Sequence, residues 1–319
     1  MLNILVTGGS GMVGSAIKDL IKKTPTLDNY TFISSSDYDL RDKDQVDKCF
    51  SKGNYTTVIH LAAIVGGLYK NMEFNLEMLM DNIKINMNVL EACHKYNVNR
   101  GIFCLSSCIY PKNPSQFPMT ESMICSSEPH ESNEGYAYAK RMLYIMCKHY
   151  NKQYHREYVC VSPVNLYGLN DNFNIKDGHV IPGLINRMFK VKNKMSPYDN
   201  SKFEVYGTGI AQRQFLFAPD FAIILLKLLY NNSIIDGLYN ICDDNEYPIR
   251  EVVMIIAKLL KFEENSIIFN DYYSDGILKK TVSNKKFRNL FPDYEFTELF
   301  DGLNETICWF LNNLERIRE

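Results

Sequence analysis

A tyrosine and a lysine, Tyr136 and Lys140, stand four positions apart in a stretch with helical spacing of its apolar residues. Four residues make about one helical turn, so the phenol and the ammonium would face the same way. A nearby cation stabilises phenolate and lowers the tyrosine pKa from about 10, which suits the residue for proton exchange with a carbonyl or an alcohol. The spacing predicts an acid–base pair, although two surface residues on an amphipathic helix would show the same pattern.

A hydroxyl that could join this pair lies upstream, in Ser106-Ser107-Cys108, directly after a predicted buried strand. Ligands of parallel sheets bind in the crevice outside the carboxyl ends of the strands. Ser106 is therefore predicted to hydrogen-bond a reacting oxygen. Taken alone, Cys108 fits a small buried residue, and His179, in a polar stretch, fits a solvated side chain.

A glycine-rich loop lies near the start of the chain and reads Gly8-Gly9-Ser10-Gly11-Met12-Val13-Gly14. It satisfies both the Gly-x-Gly-x-x-Gly and the Gly-x-x-Gly-x-x-Gly spacing, between a predicted strand and a predicted helix. Glycines let the backbone turn tightly and approach a pyrophosphate, whose charge then lies at the helix N-terminus. The loop in this context predicts dinucleotide binding.

The next predicted strand ends in Ser34-Ser35-Ser36-Asp37. NAD enzymes place Asp or Glu at this strand tip, about 20 residues after the glycines. The hydroxyls of Ser35 and Ser36 instead favour a 2′-phosphate, so we predict NADP (NADPH). Asp37 keeps NAD open as an alternative, and Arg41 or Lys43 is the candidate cation.

Alternating strands and helices position these residues. The predicted strands are Asn3–Val6, Tyr30–Ser34, Val58–Leu61, Ile102–Leu105 and Tyr158–Val161, and the predicted helices are Val13–Lys23, Gln45–Phe50, Met80–Tyr96 and Tyr138–Tyr150. Parallel strands need crossover helices. The pattern therefore predicts an α/β fold with a Rossmann-type, doubly wound parallel sheet.

The second half of the chain is less regular. It reads as a loop at Leu169–His179, a helix at Val180–Phe189, a loop at Ser196–Lys202, and then Phe215–Phe217, Pro219–Tyr230 and Leu238–Ile241, which are expected to return to the sheet. Residues 249–260, 267–269 and 297–312 would complete a smaller lobe. We predict an NADP-binding domain at 1–166, completed by about 211–243, and a substrate-binding lobe formed by about 167–210 and 244–319.

Composition narrows the possible functions. The chain has 319 residues, 46% of them hydrophobic, and a net charge of −2, so no electrostatic reason exists to expect nucleic acid or an anionic membrane as a partner. Its longest apolar runs fall far short of the roughly 20 residues of a spanning helix. Nine scattered cysteines without a Cys-x-x-Cys pair predict neither a disulfide framework nor a metal site. We expect a cytoplasmic protein.

Several motifs together resemble the extended short-chain dehydrogenase/reductase family, over essentially the whole chain. They are Gly-Met-Val-Gly at 11–14, Leu-Ala-Ala-x-Val-Gly-Gly at 61–67, Ser-Ser-Cys-Ile-Tyr-Pro at 106–111, Tyr-Ala-x-Ala-Lys at 136–140, Asn-Leu-Tyr-Gly at 165–168, Asp-Asn-Phe at 171–173 and His-Val-Ile-Pro at 179–182. The Ser-Ser-Cys and His-Val-Ile-Pro elements are similar to those of family members that both epimerise and reduce a GDP-linked keto sugar.

The resemblance implies a reductase triad of Ser106, Tyr136 and Lys140, with Cys108 and His179 as an acid/base pair. The implied reaction inverts carbons 3 and 5 of GDP-4-keto-6-deoxy-D-mannose and then reduces the 4-keto group with NADPH, giving GDP-L-fucose. A nucleotide-sugar 4-epimerase with bound NAD is an alternative that needs the tyrosine but no thiol–imidazole pair. A non-catalytic NADP-binding protein is another, and such proteins usually lose the tyrosine, the lysine or the glycine motif.

The resemblance also implies binding residues. For the cofactor these are the glycine loop, Ser35, Ser36, Leu40, Ala62, Ala63, Leu105, Lys140, Pro163, Asn165, Leu166 and His179, and for the substrate Asn165, Val180, Arg187, Tyr206, Arg213, Asp275 and Lys280. Arg187 and Arg213 would pair with the diphosphate, because planar guanidinium groups match phosphate oxygens, and Tyr206 would stack on the guanine. The chain departs from the family in reading Gln212-Arg213-Gln214-Phe215 where Arg-Glu-Phe is usual. The family also implies a homodimer formed by helices such as Met80–Tyr96 and Tyr138–Tyr150.

Overall fold

The structure is a computed structural model that describes residues 1–194, 202–234 and 236–318. The strands are β1 (Asn3–Thr7), β2 (Asn29–Ile33), β3 (Thr57–His60), β4 (Arg100–Cys104), β5 (Glu157–Pro163), β6 (Asn165–Tyr167), β7 (Phe203–Tyr206), β8 (Gln212–Arg213), β9 (Phe215–Phe217), β10 (Gly237–Ile241), β11 (Tyr247–Pro248), β12 (Ile267–Asn270) and β13 (Lys279–Lys280). The α-helices are α1 (Met12–Lys23), α2 (Lys43–Gly53), α3 (Leu68–Glu73), α4 (Asn75–Lys95), α5 (Glu134–Tyr154), α6 (Val180–Lys194), α7 (Ala218–Tyr230), α8 (Ile249–Leu260), α9 (Lys285–Leu290) and α10 (Leu299–Asn312).

Six parallel strands form the central sheet, in the order β10-β5-β4-β3-β1-β2. β1, β3 and β4 are short apolar runs that are buried along most of their length, as expected for a sheet covered by helices on both faces. The order reverses direction between β1 and β3, and the carboxyl ends of the strands there border a crevice. The predicted Rossmann-type fold is confirmed, with all nine elements predicted in the first 161 residues present.

The second half differs from its prediction in one strand. The strand at Phe215–Phe217 does not join the central sheet but pairs in parallel with Asn165–Tyr167, while Gly237–Ile241 does join it beside β5. A three-residue apolar run carries no information about its partner, so only tertiary packing decides this pairing. Apart from Lys202, the loop predicted at Ser196–Lys202 lies outside the described residues.

Some short elements, among them helix α3 and strand β7, were not predicted. Strand β7 is four residues long, too short for a reliable alternation of apolar and polar residues. It pairs with β12, the element expected at 267–269, although 60 residues separate the two strands.

Buried side chains form two separate hydrophobic clusters. One runs through the central sheet and includes Phe221 and Ile241 from the second half of the chain, and the other joins α6, α8 and α10. We propose that these clusters are the cores of the two predicted lobes. Val282 and Phe287, which the sequence division placed in the second lobe, pack in the first cluster.

Candidate active site

The glycine loop connects β1 to α1, and its glycines are needed for steric reasons. Gly8 has a φ of +70°, a conformation that L side chains rarely adopt. A Cβ added at Gly14 would lie 2.6 Å from the Gly8 carbonyl oxygen and 2.7 Å from the Gly9 Cα. Gly11, which precedes the helix, has no side chain that could cap it, so the N–H groups of the first turn are left for a ligand.

One continuous cavity of about 760 Å³ starts at this loop and reaches Tyr136 and Lys140. Nearly all predicted cofactor residues line it, namely Gly8, Ser10, Gly11, Met12, Val13, Gly14, Ser35, Leu40, Ala62, Ala63, Leu105, Lys140, Pro163, Asn165, Leu166 and His179. Gly9 and Ser36 do not. Gly9 packs against β2 instead, and a Cβ added there would lie 2.7 Å from the Phe32 Cβ. The cavity therefore joins the predicted pyrophosphate site to the predicted acid–base pair.

The end of the cavity beside β2 carries hydroxyls and one guanidinium. Ser34 Oγ donates to Asp37 at 2.7 Å and shares a hydrogen bond with Ser36 Oγ, also at 2.7 Å. The hydroxyl and N–H of Ser34 lower the pKa of Asp37, whose carboxylate is thereby held to its own turn. Arg41 lines the cavity and pairs with Asp39 at 2.8 Å and Asp81 at 3.0 Å.

Lys43, the other candidate cation, pairs with Glu91 at 2.7 Å and does not line this cavity. Arg41 is therefore the cation that the fold brings to this end. Its guanidinium already has two carboxylate partners, so an incoming phosphate would compete with them.

Tyr136 and Lys140 lie on α5 with their side chains at the other end of the cavity. Lys140 is 1% exposed, and its ammonium donates to the Cys104 carbonyl oxygen at 2.7 Å while lying 5.7 Å from the Tyr136 ring centroid. Burial lowers the pKa of Lys140. The hydrogen bond to β4 fixes the ammonium beside the phenol, as the spacing predicts.

The predicted lowering of the tyrosine pKa is wrong for this structure. Burial, together with the nearby thiols of Cys108 and Cys104, raises the pKa of Tyr136 well above its ordinary value. Tyr136 is therefore a protonated phenol at neutral pH, which is the form that can donate a proton.

Ser106 ends the loop after β4 and begins a short 3₁₀ turn at Ser107–Ile109. Its hydroxyl oxygen accepts the Cys108 N–H at 3.3 Å, and the side chain lines the large cavity. Cys108 is 6% exposed and lines a different, small cavity of about 10 Å³, which has room for about one water. Lys280 and His130 line the same small cavity.

Burial raises the pKa of Cys108, while the Lys280 charge and the Ser106 hydrogen bond act in the opposite direction. His179 ends the loop before α6 and lines the large cavity, with its side chain open to the cleft. The surrounding protein lowers the pKa of His179 through desolvation. The structure thus places the predicted thiol–imidazole pair on two neighbouring cavities, with both groups neutral at rest.

Of the predicted substrate residues, Asn165 lines the large cavity and the others do not. Four of the others form two groups. In the first group, the Arg187 guanidinium lies 5.2 Å from the ring centroid of the exposed Tyr206 and donates to the Glu204 carbonyl oxygen at 2.6 Å. In the second, Arg213 and Lys280 are register partners on adjacent strands. Val180 is exposed at the first turn of α6.

The Asp275 carboxylate is occupied by hydrogen bonds within the protein. Its carboxylate accepts the Thr208 hydroxyl at 2.6 Å and the Gly209 N–H at 3.1 Å, and the Thr208 hydrogen bond lowers its pKa. Asp275 therefore holds the turn that follows Tyr206.

Sequence reasoning missed four charged residues of the large cavity, which are Asp39, Asp171, Asp177 and Arg318. Asp171 belongs to the Asp-Asn-Phe motif, which was a possible signal, but Arg318 lies near the end of the chain without any motif. Over the described residues, no cluster of His, Cys, Asp or Glu could hold a metal ion. In the same part of the chain, no helix is both long and apolar enough to cross a membrane.

Known proteins resemble this chain in sequence and in overall structure. A family model described as the NAD dependent epimerase/dehydratase family matches residues 4–242. A GDP-L-fucose synthase of Dictyostelium discoideum is 39% identical over 99% of this chain and 97% of its own length, and a GDP-L-colitose synthase of Yersinia pseudotuberculosis is 30% identical over 98% of each. The crystal structure of a GDP-L-fucose synthetase from Naegleria fowleri bound to NADP superposes with a TM-score of 0.91, at 38% identity over 99% of this chain and 94% of that one.

Proposed function

The chain belongs to the NAD dependent epimerase/dehydratase family, and from that premise we propose that it converts GDP-4-keto-6-deoxy-D-mannose into GDP-L-fucose with NADPH. It is an oxidoreductase with epimerase activity. The observation that carries the proposal is the single cavity that joins the glycine loop to Ser106, Tyr136 and Lys140. Near-complete coverage of a GDP-L-fucose synthase at 39% identity supports the choice of substrate.

The residues of the large cavity fit NADP. The glycine loop would hold the pyrophosphate, since its backbone is open and an added Cβ would fill the space. Ser35 would bind the 2′-phosphate together with Arg41, once the phosphate replaces a carboxylate partner of that guanidinium. Leu40, Ala62, Ala63, Leu105, Pro163, Asn165 and Leu166 would line the rest of the cofactor site.

Reduction at carbon 4 needs a proton donor and a fixed carbonyl. When bound, NADPH supplies the hydride. Tyr136 gives a proton to the developing alkoxide, and its raised pKa keeps that proton in place at neutral pH. Ser106 donates a hydrogen bond to the same oxygen, and Lys140, anchored on Cys104, holds the nicotinamide ribose.

Inversion at carbons 3 and 5 needs proton removal on one face and delivery on the other. Both carbons are acidic because they flank the 4-keto group. Cys108 and His179 supply a thiol and an imidazole, which can act as a general acid and a general base. At rest the thiol holds a proton and the imidazole has room for one, so one member can donate while the other accepts.

Substrate binding is assigned to the two basic groups. Arg187 and Arg213 would pair with the diphosphate, Tyr206 would stack on the guanine beside Arg187, and Lys280, Asn165 and Val180 would contact the sugar. Asp275 would act by holding the 207–209 turn.

Two further assignments concern the oligomeric state and the cellular location of the protein. A homodimer is supported by exposed apolar residues on α4 and α5, among them Met80, Met87 and Met142. A cytoplasmic location is supported by the nine cysteines, all of which are unpaired.

The reaction is tested by following NADPH absorbance with GDP-4-keto-6-deoxy-D-mannose in deuterated water, with product analysis by mass. We expect NADPH oxidation and one solvent deuterium at each inverted carbon. Cys108→Ser should lower deuterium uptake by about 10²-fold or more, the usual contribution of a general acid or base. Cys125→Ser, which changes an exposed thiol, is the matched control and should behave as wild type.

The other outcomes separate the alternatives. NADPH binding without oxidation would contradict the proposed substrate. NADPH oxidation coupled to reduction of a 3-deoxy keto sugar in its place would favour a reaction like that named for the colitose relative. Full deuterium uptake by Cys108→Ser would remove the thiol from the mechanism.

A further inference from the structure

The loop at 168–179 forms one wall of the large cavity without regular secondary structure. Its residues Asp171, Asn172, Asp177 and His179 all line the cavity. The Asn174 side chain shapes the later part of the loop by accepting the N–H groups of residues 176 and 177 at 2.8 and 3.0 Å. The earlier part, residues 170–173, is attached to another segment of the chain.

That segment is the end of the described chain, where Arg318 docks on the loop. Arg318 forms a parallel β-bridge with Asn172, and its carbonyl oxygen accepts the Phe173 N–H at 2.9 Å. Its guanidinium donates to the Asn170 carbonyl oxygen and lines the large cavity. Arg318 therefore contacts the backbone on both sides of Asp171.

Asp171 is a buried carboxyl group with an unused oxygen. It is 5% exposed, and one oxygen accepts the Asn172 N–H at 2.7 Å. Among the described residues, its other oxygen has no hydrogen-bond partner. Burial raises the pKa of Asp171 to about 7, whereas the Arg318 charge lowers it. A buried carboxylate is costly unless a cation compensates it, and Arg318 is the cation that acts on it.

We propose that Arg318 is a positioning residue for the epimerisation, which holds the His179 loop against the cavity through the hydrogen bond of its guanidinium to the Asn170 carbonyl oxygen. The inference rests on the proposed role of His179. The reduction machinery lies elsewhere, since Tyr136 and Lys140 are on α5 and Ser106 follows β4. Loss of Arg318 therefore separates the two halves of the reaction.

The test compares Arg318→Ala and Arg318→Lys with Arg316→Ala, which removes an exposed arginine two residues earlier. We expect Arg318→Ala to lower deuterium uptake at carbons 3 and 5 by about tenfold to a hundredfold, the scale of a small misplacement of a reacting group. More of its reduced product should keep the substrate's configuration at these carbons. Arg318→Lys should recover part of the loss, and Arg316→Ala should match wild type.

A double-mutant cycle tests whether the Arg318 charge also acts on Asp171. If it does, the Arg318→Ala effect is smaller in an Asp171→Asn background. Equal losses of epimerisation, reduction and NADPH affinity, or an Arg318→Ala enzyme that matches Arg316→Ala, would overturn the proposal.

Amide hydrogen exchange keeps this proposal separate from the proposed function. If Arg318 holds this loop, Arg318→Ala speeds amide exchange at residues 170–173 in the enzyme without substrate, even if the sugar substrate turns out to be different. Unchanged exchange at these residues contradicts the positioning role of Arg318, even if wild type makes GDP-L-fucose.

Discussion

At the scale of single residues, burial sets the protonation states of the site. The sequence pairs Tyr136 with a cation one turn away, which by itself would favour phenolate. In the folded protein the Lys140 ammonium is committed to the Cys104 carbonyl oxygen, and burial raises the tyrosine pKa instead. Tyr136 therefore carries its phenol proton at neutral pH.

The raised pKa of Asp171 predicts that the free energy of unfolding depends on pH. Its pKa is about 7 in the folded chain and about 3.8 when exposed, so between these values the native state holds a proton that the unfolded state has lost. The contribution of Asp171 to the free energy of unfolding is therefore fully present below about pH 4 and falls as the pH rises to 7. Asp171→Asn should remove this pH-dependent loss of stability. At about 1.4 kcal/mol per pKa unit, the loss amounts to a few kcal/mol at most.

Urea unfolding of wild type and Asp171→Asn from pH 4.5 to 8 measures the difference. The variant should gain stability relative to wild type as the pH rises. Asp37→Asn serves as a control without pH dependence in this range, because Ser34 lowers the pKa of Asp37 below its ordinary value of 3.8. The stabilising contribution of the wild-type carboxylate is therefore fully present from pH 4.5 upward and is lost only in more acidic solution. Parallel curves for wild type and Asp171→Asn would contradict the assignment.

At the scale of elements, the turn from β1 into α1 defines the cofactor end of the cavity. Gly14→Ala would place a methyl group 2.6 Å from the Gly8 carbonyl oxygen and force the loop to move. We expect the NADPH dissociation constant to rise at least about tenfold, or about 1.4 kcal/mol, as measured by fluorescence titration.

Gly183→Ala on α6 is the matched control. Nothing lies within 4 Å of a Cβ added there, and alanine is the better helix former by about 0.5–1 kcal/mol. This variant should be slightly more stable and bind NADPH as wild type does. Equal NADPH affinities of Gly14→Ala and wild type would show that the loop does not carry the pyrophosphate.

At the scale of the whole molecule, α4 and α5 pack against each other and leave an apolar surface uncovered. Met80 and Met87 are exposed on α4, two turns apart, and Tyr138 and Met142 are exposed one turn apart on α5. A surface of this kind on two adjacent helices fits an isologous contact with a second copy.

Light scattering after size exclusion tests the dimer. Wild type should elute at twice the 36.9 kDa of one chain, and Met142→Glu should shift to the monomer mass because a charge would be buried in the contact. Leu311→Glu, on the exposed side of α10, should leave the dimer intact. A wild-type monomer at tens of micromolar would contradict the assignment.

The sequence by itself determined the features that depend on neighbours along the chain. The alternation of strands and helices, the glycine turn and the one-turn spacing of Tyr136 and Lys140 are local, because steric limits and the 3.6-residue period act over a few residues. The fold class and most of the cofactor cavity could therefore be predicted. The catalytic and binding assignments remain predictions, supported by motif resemblance and by the cavity.

Only the tertiary structure decided which distant segments meet. It paired Phe215–Phe217 with Asn165–Tyr167, placed Cys108 and Lys280 on the same small cavity, and brought Arg318 beside Asn172. None of these contacts has a local signal, since each depends on how two complete elements pack. The same holds for the pKa of Tyr136, Cys108 and Asp171, because burial is a property of the folded chain and not of the residue type.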